Sequence, residues 1–200
     1  QSPGGEHLYA AGFADNGMAV LDRNPSTATL SLVQFVQEAG LTGPSDVAVS
    51  PDGSHVLVTG ASSDRLVVFS RNAGTGALTH AATVTETGGV DGLSGAAAVA
   101  VSPDGVRVFV AGGAEDAIAR FDRDPETGLL TFVAAVFDGD PGPDGPVTGL
   151  TGVADLALPG DGEQLYAIGD GAIAVFAVRA DGRPFLQARA DAGLGGGSGL

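Results

Sequence analysis

The sequence predicts an all-β protein: a β-propeller of four-stranded antiparallel blades, with about four blades present as a section of a larger ring. Three observations support this fold class. A Ser-Pro-Asp-Gly turn recurs about every fifty residues, short apolar runs follow each turn, and Gly, Pro and Asp separate the runs. A four-stranded unit repeated at that period is typical of a propeller, in which each repeat forms one blade.

The repeated turn is the clearest of these observations. Ser50-Pro51-Asp52-Gly53 recurs at residues 102–105, and related segments lie at 2–5 and 159–162. Proline presets φ and glycine takes a positive φ, so this segment predicts the hairpin between the first and second strands of a blade. The recurrence predicts four repeats, approximately 1–45, 46–97, 98–153 and 154–200.

The apolar runs predict the strands in order. After each turn a run ends in glycine, a second run closes on a large apolar residue, and a third run and a Gly-rich loop lead to the innermost strand of the next repeat. The first of these runs occupies residues 8–12, 56–60, 108–112 and 165–169, and the second ends at Leu21, Phe69, Phe121 or Phe176. Runs of four to seven residues rich in Val and aromatics favour strands over helices.

Both faces of the second strand are apolar, as in Val108-Phe109-Val110. A sheet with one solvated face would alternate apolar and polar residues, so each small sheet must be covered on both sides. Radial stacking of blades provides that cover. The first repeat lacks an innermost strand, which predicts three strands in that repeat and four in each of the others.

Both ends of the chain fall at nearly the same point of the repeat, since it begins at a hairpin, without an initiator Met, and stops in a loop that precedes an innermost strand. The end blades of an open arc expose apolar faces and strand edges. We therefore expect a section of a longer propeller. Self-association through the open blade edges, or closure by four blades alone, would also complete the arc.

The net charge, the lack of a long apolar stretch and the absence of cysteine each exclude a class of partner or site. The chain has 24 acidic residues and 9 basic ones, all arginine, and a net charge of −15. Such a surface repels phosphate backbones, so we expect no nucleic acid partner. No uncharged stretch is long and apolar enough for a membrane span, so we expect no membrane insertion. The absence of cysteine excludes disulfides, cysteine-bound zinc and a thiol nucleophile.

The repeat resembles the bacterial lactonase-like seven-bladed β-propellers, which include 6-phosphogluconolactonase of the propeller type and many secreted repeat proteins. The resemblance rests on residues 99–105, 108–112 and 121–131 and extends over essentially the whole chain. It implies a full ring of seven blades, a possible lactonase activity, and an extracellular or periplasmic location. No segment allows the polar residues of the family's central channel to be transferred to this chain, so the resemblance assigns no catalytic or cofactor-binding residue.

Acidic residues are predicted to gather at one end of the propeller. In an up-and-down blade, the turn between strands two and three and the long loop between blades open on the same end. The turns supply Asp15, Asp64, Glu115, Asp116 and Asp170, and the long loops supply Glu86, Asp91, Asp138, Asp140 and Asp144.

The densest acidic segment is a candidate calcium loop, with Asp138, Asp140 and Asp144 as ligands. Calcium takes six to eight oxygen ligands, and aspartates at alternating positions can supply several of them. The segment lacks the third alternating acid and the closing Glu of an EF-hand loop, which favours the alternative of an acidic surface loop that binds nothing. No other cofactor is expected.

Few other polar residues suggest chemistry. His7 and His55 follow the hairpins beside Pro and Gly and are expected on exposed turns, whereas His80 takes an apolar position and is expected to be a packing residue. Arg120 replaces an apolar residue and is expected to cover an apolar edge and to pair with an acid such as Asp116. Asp46 begins an innermost strand at the acidic end, as does Asp155.

Two functions follow from these observations. The regular repetition favours a non-catalytic scaffold of a secreted or surface protein, which presents loops to a protein or glycan partner. The alternative is a lactone hydrolase of the 6-phosphogluconolactonase type, of which this chain is a part. An enzyme would carry His, Glu or Arg at the end of one innermost strand where the other repeats carry Ala or Val, and no repeat shows this.

Overall fold

The computed structural model describes residues 1–142 and 145–178 in full and the backbone of residues 184–190. These residues form strands and turns, and none of them lies in a helix that could span a membrane. The strands are β1 (His7–Gly12), β2 (Gly17–Arg23), β3 (Leu30–Val36), β4 (Pro44–Val49), β5 (His55–Gly60), β6 (Arg65–Arg71), β7 (Leu78–Thr85), β8 (Ala96–Val101), β9 (Arg107–Gly112), β10 (Ala117–Arg123), β11 (Leu130–Phe137), β12 (Pro141–Gly142), β13 (Gly145–Pro146), β14 (Asp155–Ala157), β15 (Gln164–Gly169), β16 (Ala172–Val178) and β17 (Pro184–Ala190).

Four antiparallel sheets follow one another along the chain, and the all-β fold is confirmed. Blade 1 contains β1, β2 and β3, blade 2 contains β4 to β7, blade 3 contains β8 to β11, and blade 4 contains β14 to β17. Within each blade every strand pairs with the next one in sequence. The short β12–β13 hairpin lies in the loop between blades 3 and 4 and was not predicted.

The Ser-Pro-Asp-Gly turn is held by its own side chains. The Ser50 hydroxyl donates to the Asp52 carboxylate at 2.6 Å and accepts from the backbone N–H of His55 at 3.0 Å. Gly53 has a φ of +72°, which only glycine adopts without strain. Hydrogen bonds from Ser50, the Ser54 backbone and Arg123 outweigh the effect of burial and lower the pKa of Asp52 to about 2.

Apolar side chains from consecutive blades form the core. Leu57 and Leu66 of blade 2 pack against Val108 and Phe121 of blade 3 and are completely buried, and similar clusters join blades 1 and 2 and blades 3 and 4. Both faces of the inner strands of blades 2 and 3 are therefore covered, as the apolar pattern predicts. Removing one such side chain would cost about 2 to 5 kcal/mol.

Two buried histidines join neighbouring blades, which corrects the expectation that they lie on exposed turns. His7 and His55 are each only 3% exposed. Nδ1 of His55 accepts a hydrogen bond from Nη2 of Arg123 in blade 3 at 2.6 Å, and the same guanidinium lies 2.9 Å from the Asp52 carboxylate. The hairpin of one blade is covered by the next blade, and this contact is not visible from the turn residues alone.

The same arrangement joins blades 1 and 2. Nη2 of Arg71 lies 2.9 Å from Nδ1 of His7, and its Nε donates to the Tyr9 hydroxyl at 2.6 Å. Each arginine also donates to a carbonyl of its own hairpin, Gly53 for Arg71 and Gly105 for Arg123. We call the contacts of Arg71 with His7 and of Arg123 with His55 the arginine–histidine bridges.

The bridge at His55 predicts a stability that depends on pH. Burial, followed by the charge of Arg123, lowers the pKa of His55 below its ordinary 6.5. The folded state therefore binds a proton on His55 less readily than the unfolded state does. The contribution of neutral His55 to the stability of the fold is fully present above the ordinary pKa of histidine and is lost as the pH falls through the lowered pKa of the folded state.

We expect the free energy of unfolding to fall between about pH 7.5 and pH 5.5, and His55→Asn to reduce this dependence because Asn keeps an acceptor but does not titrate. Urea unfolding at both pH values measures the change. His80→Asn is the matched control, since this exposed ring belongs to neither bridge. Equal pH dependence in the wild type and His55→Asn would contradict the assignment.

Candidate functional site

The turns that follow β1, β5 and β9 meet the long interblade loops at one end of the structure, as the topology predicts. The side chain of Asp64 accepts the backbone N–H of Gly95 at 2.7 Å, and that of Asp116 accepts Gly152 at 2.7 Å. Asn16 makes the same contact in blade 1, with Gly43. Asn16, Asp64 and Asp116 all have a positive φ, which Asn and Asp tolerate better than other side chains. These side chains fix loops in place.

Three other carboxylates converge at this end. Glu86 and Asp91 come from the loop between blades 2 and 3, and Glu115 comes from the turn between β9 and β10. Each offers one oxygen, and these three oxygens lie within 4.8 Å of one another. We call these three residues the acidic triad. Because carboxylate oxygens are the ligands that hard cations prefer, the triad could hold a metal ion.

The carboxylates of the triad differ in their surroundings. Oε1 of Glu86 accepts the backbone N–H groups of Leu93 and Ser94 at 2.6 and 2.9 Å, so one of its oxygens shapes the loop. Oε2 of Glu115 is buried, with no hydrogen-bond partner among the described residues. Burial, followed by the neighbouring Glu86 carboxylate, raises the pKa of Glu115. A bound cation would relieve this repulsion between like charges.

In the predicted calcium loop, the described aspartates accept hydrogen bonds from backbone N–H groups of the same loop. Oδ1 of Asp138 accepts the backbone N–H of Leu150 at 2.9 Å, and Oδ2 of Asp140 accepts that of Phe137 at 2.9 Å. Each thus uses one oxygen to organise its own loop, while Asp144 lies outside the described residues. The sequence located the acidic end but did not bring Glu86, Asp91 and Glu115 together, because they are separated along the chain.

Two aspartates begin innermost strands. In Asp46, Oδ1 accepts the backbone N–H of Val47 at 2.7 Å and Oδ2 accepts that of Val99 in the next blade at 2.9 Å. Asp46 is therefore committed to joining blades 2 and 3. Asp155 is exposed, and its Oδ1 accepts the backbone N–H of Leu156 at 2.8 Å.

Arg120 and His80 both contact side chains of their own blade. Arg120 is 5% exposed and pairs with an acid, as expected; the pair is with Asp122 at 2.7 Å. Asp116 lies at the opposite end of β10, where it caps a loop. His80 is exposed, lies with its ring edge on Phe69, and has Nε2 within 2.9 Å of the Thr83 hydroxyl.

The N-terminal part of the sequence matches a known protein family. Residues 1–90 match the family model described as Lactonase, 7-bladed beta-propeller. No curated protein matches the sequence.

Solved structures match over most of the chain. A protein from Lactobacillus plantarum is 27% identical with a TM-score of 0.76, over 92% of this chain and 54% of that one. The periplasmic gluconolactonase of Pseudomonas aeruginosa is 25% identical with a TM-score of 0.76, over 96% of this chain and 52% of that one. A Bacteroides uniformis protein provisionally assigned as a 6-phosphogluconolactonase is similar in fold, with a TM-score of 0.79 and 22% identity, over 95% and 53% of the two chains.

The chain spans about half the length of these structures, as expected for part of a propeller. The predicted resemblance to lactonase-like seven-bladed β-propellers is confirmed, in sequence over residues 1–90 and in fold over at least 92% of the chain.

Proposed function

We propose that this chain forms part of a hydrolase that opens the lactone ring of a sugar acid. The match of residues 1–90 to the lactonase family model carries the proposal. The fold shared with a periplasmic gluconolactonase at 25% identity supports it and favours an extracellular or periplasmic location. Fold alone does not assign an activity, so the proposal depends on the family match.

The proposed reaction adds water to the lactone carbonyl carbon and breaks the ring C–O bond, which leaves a carboxylic acid and a hydroxyl group. Catalysis requires a group that takes a proton from water and groups that stabilise the negative oxygen of the intermediate. Asp155 begins an innermost strand, and the innermost strands line the central channel of a propeller, so we propose Asp155 for the first role.

The charge distribution favours a neutral lactone over a phosphorylated one. The acidic end carries the acidic triad, whereas four of the six arginines with described side chains, Arg23, Arg71, Arg107 and Arg123, lie near the hairpins at the opposite end. A phosphate group at the acidic end would be repelled by the carboxylates.

A non-catalytic scaffold for a protein or glycan partner is the second candidate. It is favoured by the structural use of polar side chains, which recurs from blade to blade. Asp64 and Asp116 cap loops, and Arg71 and Arg123 join blades, so these residues are explained without a substrate.

A lactonase assay separates the two candidates. We expect the purified protein to open glucono-1,5-lactone faster than the buffer does, and to act less on its 6-phosphate, because the acidic end repels phosphate. Acid release recorded in a pH-stat measures both rates. Asp155→Asn is expected to reduce the rate by about 10²-fold or more if Asp155 is the base, with Asp161→Asn as the exposed control. No acceleration over the buffer would favour the scaffold.

We also propose that the acidic triad binds calcium. The proximity of three carboxylates and the buried, unpaired oxygen of Glu115 support this ligand set over the predicted Asp138 and Asp140, whose carboxylates hold their own loop. Three carboxylates supply fewer oxygens than calcium takes, so loop carbonyls or water would complete the shell.

The raised pKa of Glu115 gives a first prediction about the triad. A carboxyl whose folded pKa is raised contributes stability below its unfolded pKa and loses it as the pH rises through the folded pKa. At neutral pH without cation, Glu115→Gln should therefore raise the melting temperature, because it removes one of the repelling charges. Glu126→Gln, at an exposed hairpin position, should leave it unchanged. Calorimetry in EDTA measures both, and a fall for Glu115→Gln would contradict the repulsion.

Added calcium gives a second prediction. Millimolar Ca²⁺ should raise the melting temperature of the wild type, because binding to the folded state alone is stabilising. Glu115→Gln should abolish the rise and Asp140→Asn should keep it. Loss of the rise in Asp140→Asn alone would return the site to the predicted loop, and no rise in the wild type would reject calcium binding.

A further inference from the structure

Among the loop caps of blades 1 to 3, Asn16 carries an amide where the other two carry a carboxylate. Its Oδ1 accepts the backbone N–H of Gly43 at 2.8 Å, and Asp64 and Asp116 make the same contact in their blades at 2.7 Å. All three residues have a positive φ, between +48° and +56°. The cap thus has the same backbone and the same acceptor in each blade, and a carboxylate serves it as well as an amide does.

The residue that follows the cap also differs between the blades. Asn16 is followed by Gly17, whereas the caps of blades 2 and 3 precede Arg65 and Ala117. The backbone nitrogen of the residue after an asparagine can attack the side-chain carbonyl carbon, Cγ, and close a five-membered succinimide ring. Glycine allows this attack most readily, because it has no side chain to hinder the approach.

The surroundings of the Asn16 amide favour this reaction. The N–H of Gly43 that binds Oδ1 is placed to stabilise the negative charge that develops on this oxygen during the attack. Nδ2, the leaving group, has no hydrogen-bond partner among the described residues. Asn16 is exposed, and the equivalent Asp64 and Asp116 are half-buried, so water reaches this turn in the inner blades as well as in blade 1.

The other two asparagines of the chain lie in surroundings that disfavour the reaction. Asn24 precedes Pro25, whose backbone nitrogen has no proton to lose. Asn72 precedes Ala73, whose methyl group hinders the approach of its nitrogen. Oδ1 of Asn72 also accepts two backbone N–H groups of its own turn, each at 3.0 Å, and these bonds hold the amide in place. The three asparagines therefore form a matched set within one chain.

We propose that Asn16 is a site of spontaneous deamidation, which converts the cap of blade 1 into the aspartate found in blades 2 and 3. In the first step the backbone nitrogen of Gly17 bonds to Cγ of Asn16, the Cγ–Nδ2 bond breaks, and ammonia leaves with the proton from the Gly17 nitrogen. In the second step water adds to the same carbonyl carbon and the new C–N bond breaks, which leaves a carboxylate and restores the peptide N–H. The reaction consumes one water molecule and releases one ammonia molecule.

The product keeps the contact between the turn and the loop. A carboxylate at this position accepts the N–H of Gly43 in the way that Asp64 accepts that of Gly95. A hydrogen bond to a charged acceptor is stronger than one to a neutral amide, so the cap survives the change. The reaction also adds one negative charge to the acidic end of the structure.

Peptide mapping of the full chain by mass spectrometry tests the proposal. After incubation in mildly alkaline buffer, the peptide that contains Asn16 should gain about 1 Da, as aspartate or as the isoaspartate that forms when water adds to the other carbonyl. The peptides that contain Asn24 and Asn72 should change at least about tenfold more slowly. An unchanged Asn16 peptide would overturn the proposal, as would an Asn72 peptide that changes equally fast.

Two variants test whether the product is an equivalent cap. Asn16→Asp should melt at the same temperature as the unmodified wild type, because it keeps the acceptor for Gly43. Asn16→Gly is the matched control: glycine tolerates the positive φ but removes the acceptor, so this variant should melt at a lower temperature. Calorimetry measures both. Equal losses in the two variants would show that the carboxylate does not hold the loop and would contradict the conversion to an equivalent cap.

Discussion

The fold depends on the burial of both faces of each blade by its neighbours. A sheet such as β5–β6 is apolar on both sides, and its side chains are buried against blade 1 on one face and blade 3 on the other. A single blade cannot bury this surface by itself, so the stability of each blade is inseparable from that of its neighbours. The hairpins, the loop caps and the arginine–histidine bridges all act by holding consecutive blades in register.

The sequence predicted this architecture well because the relevant signals are local. The Ser-Pro-Asp-Gly turn, the apolar runs and the glycine-rich loops each report on a few adjacent residues, and their recurrence predicted the strands of the four blades and their order, though not the short β12–β13 hairpin. The sequence did not predict one regular feature. In every blade the pairing between the last two strands shifts by one residue at an equivalent place, as between Val68 and Phe69 in β6. No turn residue marks such a bulge, since it lies within an apolar run.

The candidate site was less predictable because it depends on contacts between blades. His55 follows a turn in the sequence and looked exposed, yet a guanidinium from a residue 68 positions later covers it. Glu115 belongs to a short turn, and its place beside Glu86 follows only from how two blades stack. The topology gave the correct end of the propeller for these acids, but the approach of particular oxygens depends on loop conformation that a residue pattern does not encode.

The arginine–histidine bridges are distributed unevenly along the array. They join blade 1 to blade 2 and blade 2 to blade 3, but between blades 3 and 4 the corresponding positions hold Arg107 and Val178, and Arg107 pairs with Asp104 of its own blade. Among the described residues, apolar contacts are thus the main attachment of blade 4. In an array whose units contact only their neighbours, the stability of this boundary therefore depends mainly on the apolar cluster between blades 3 and 4.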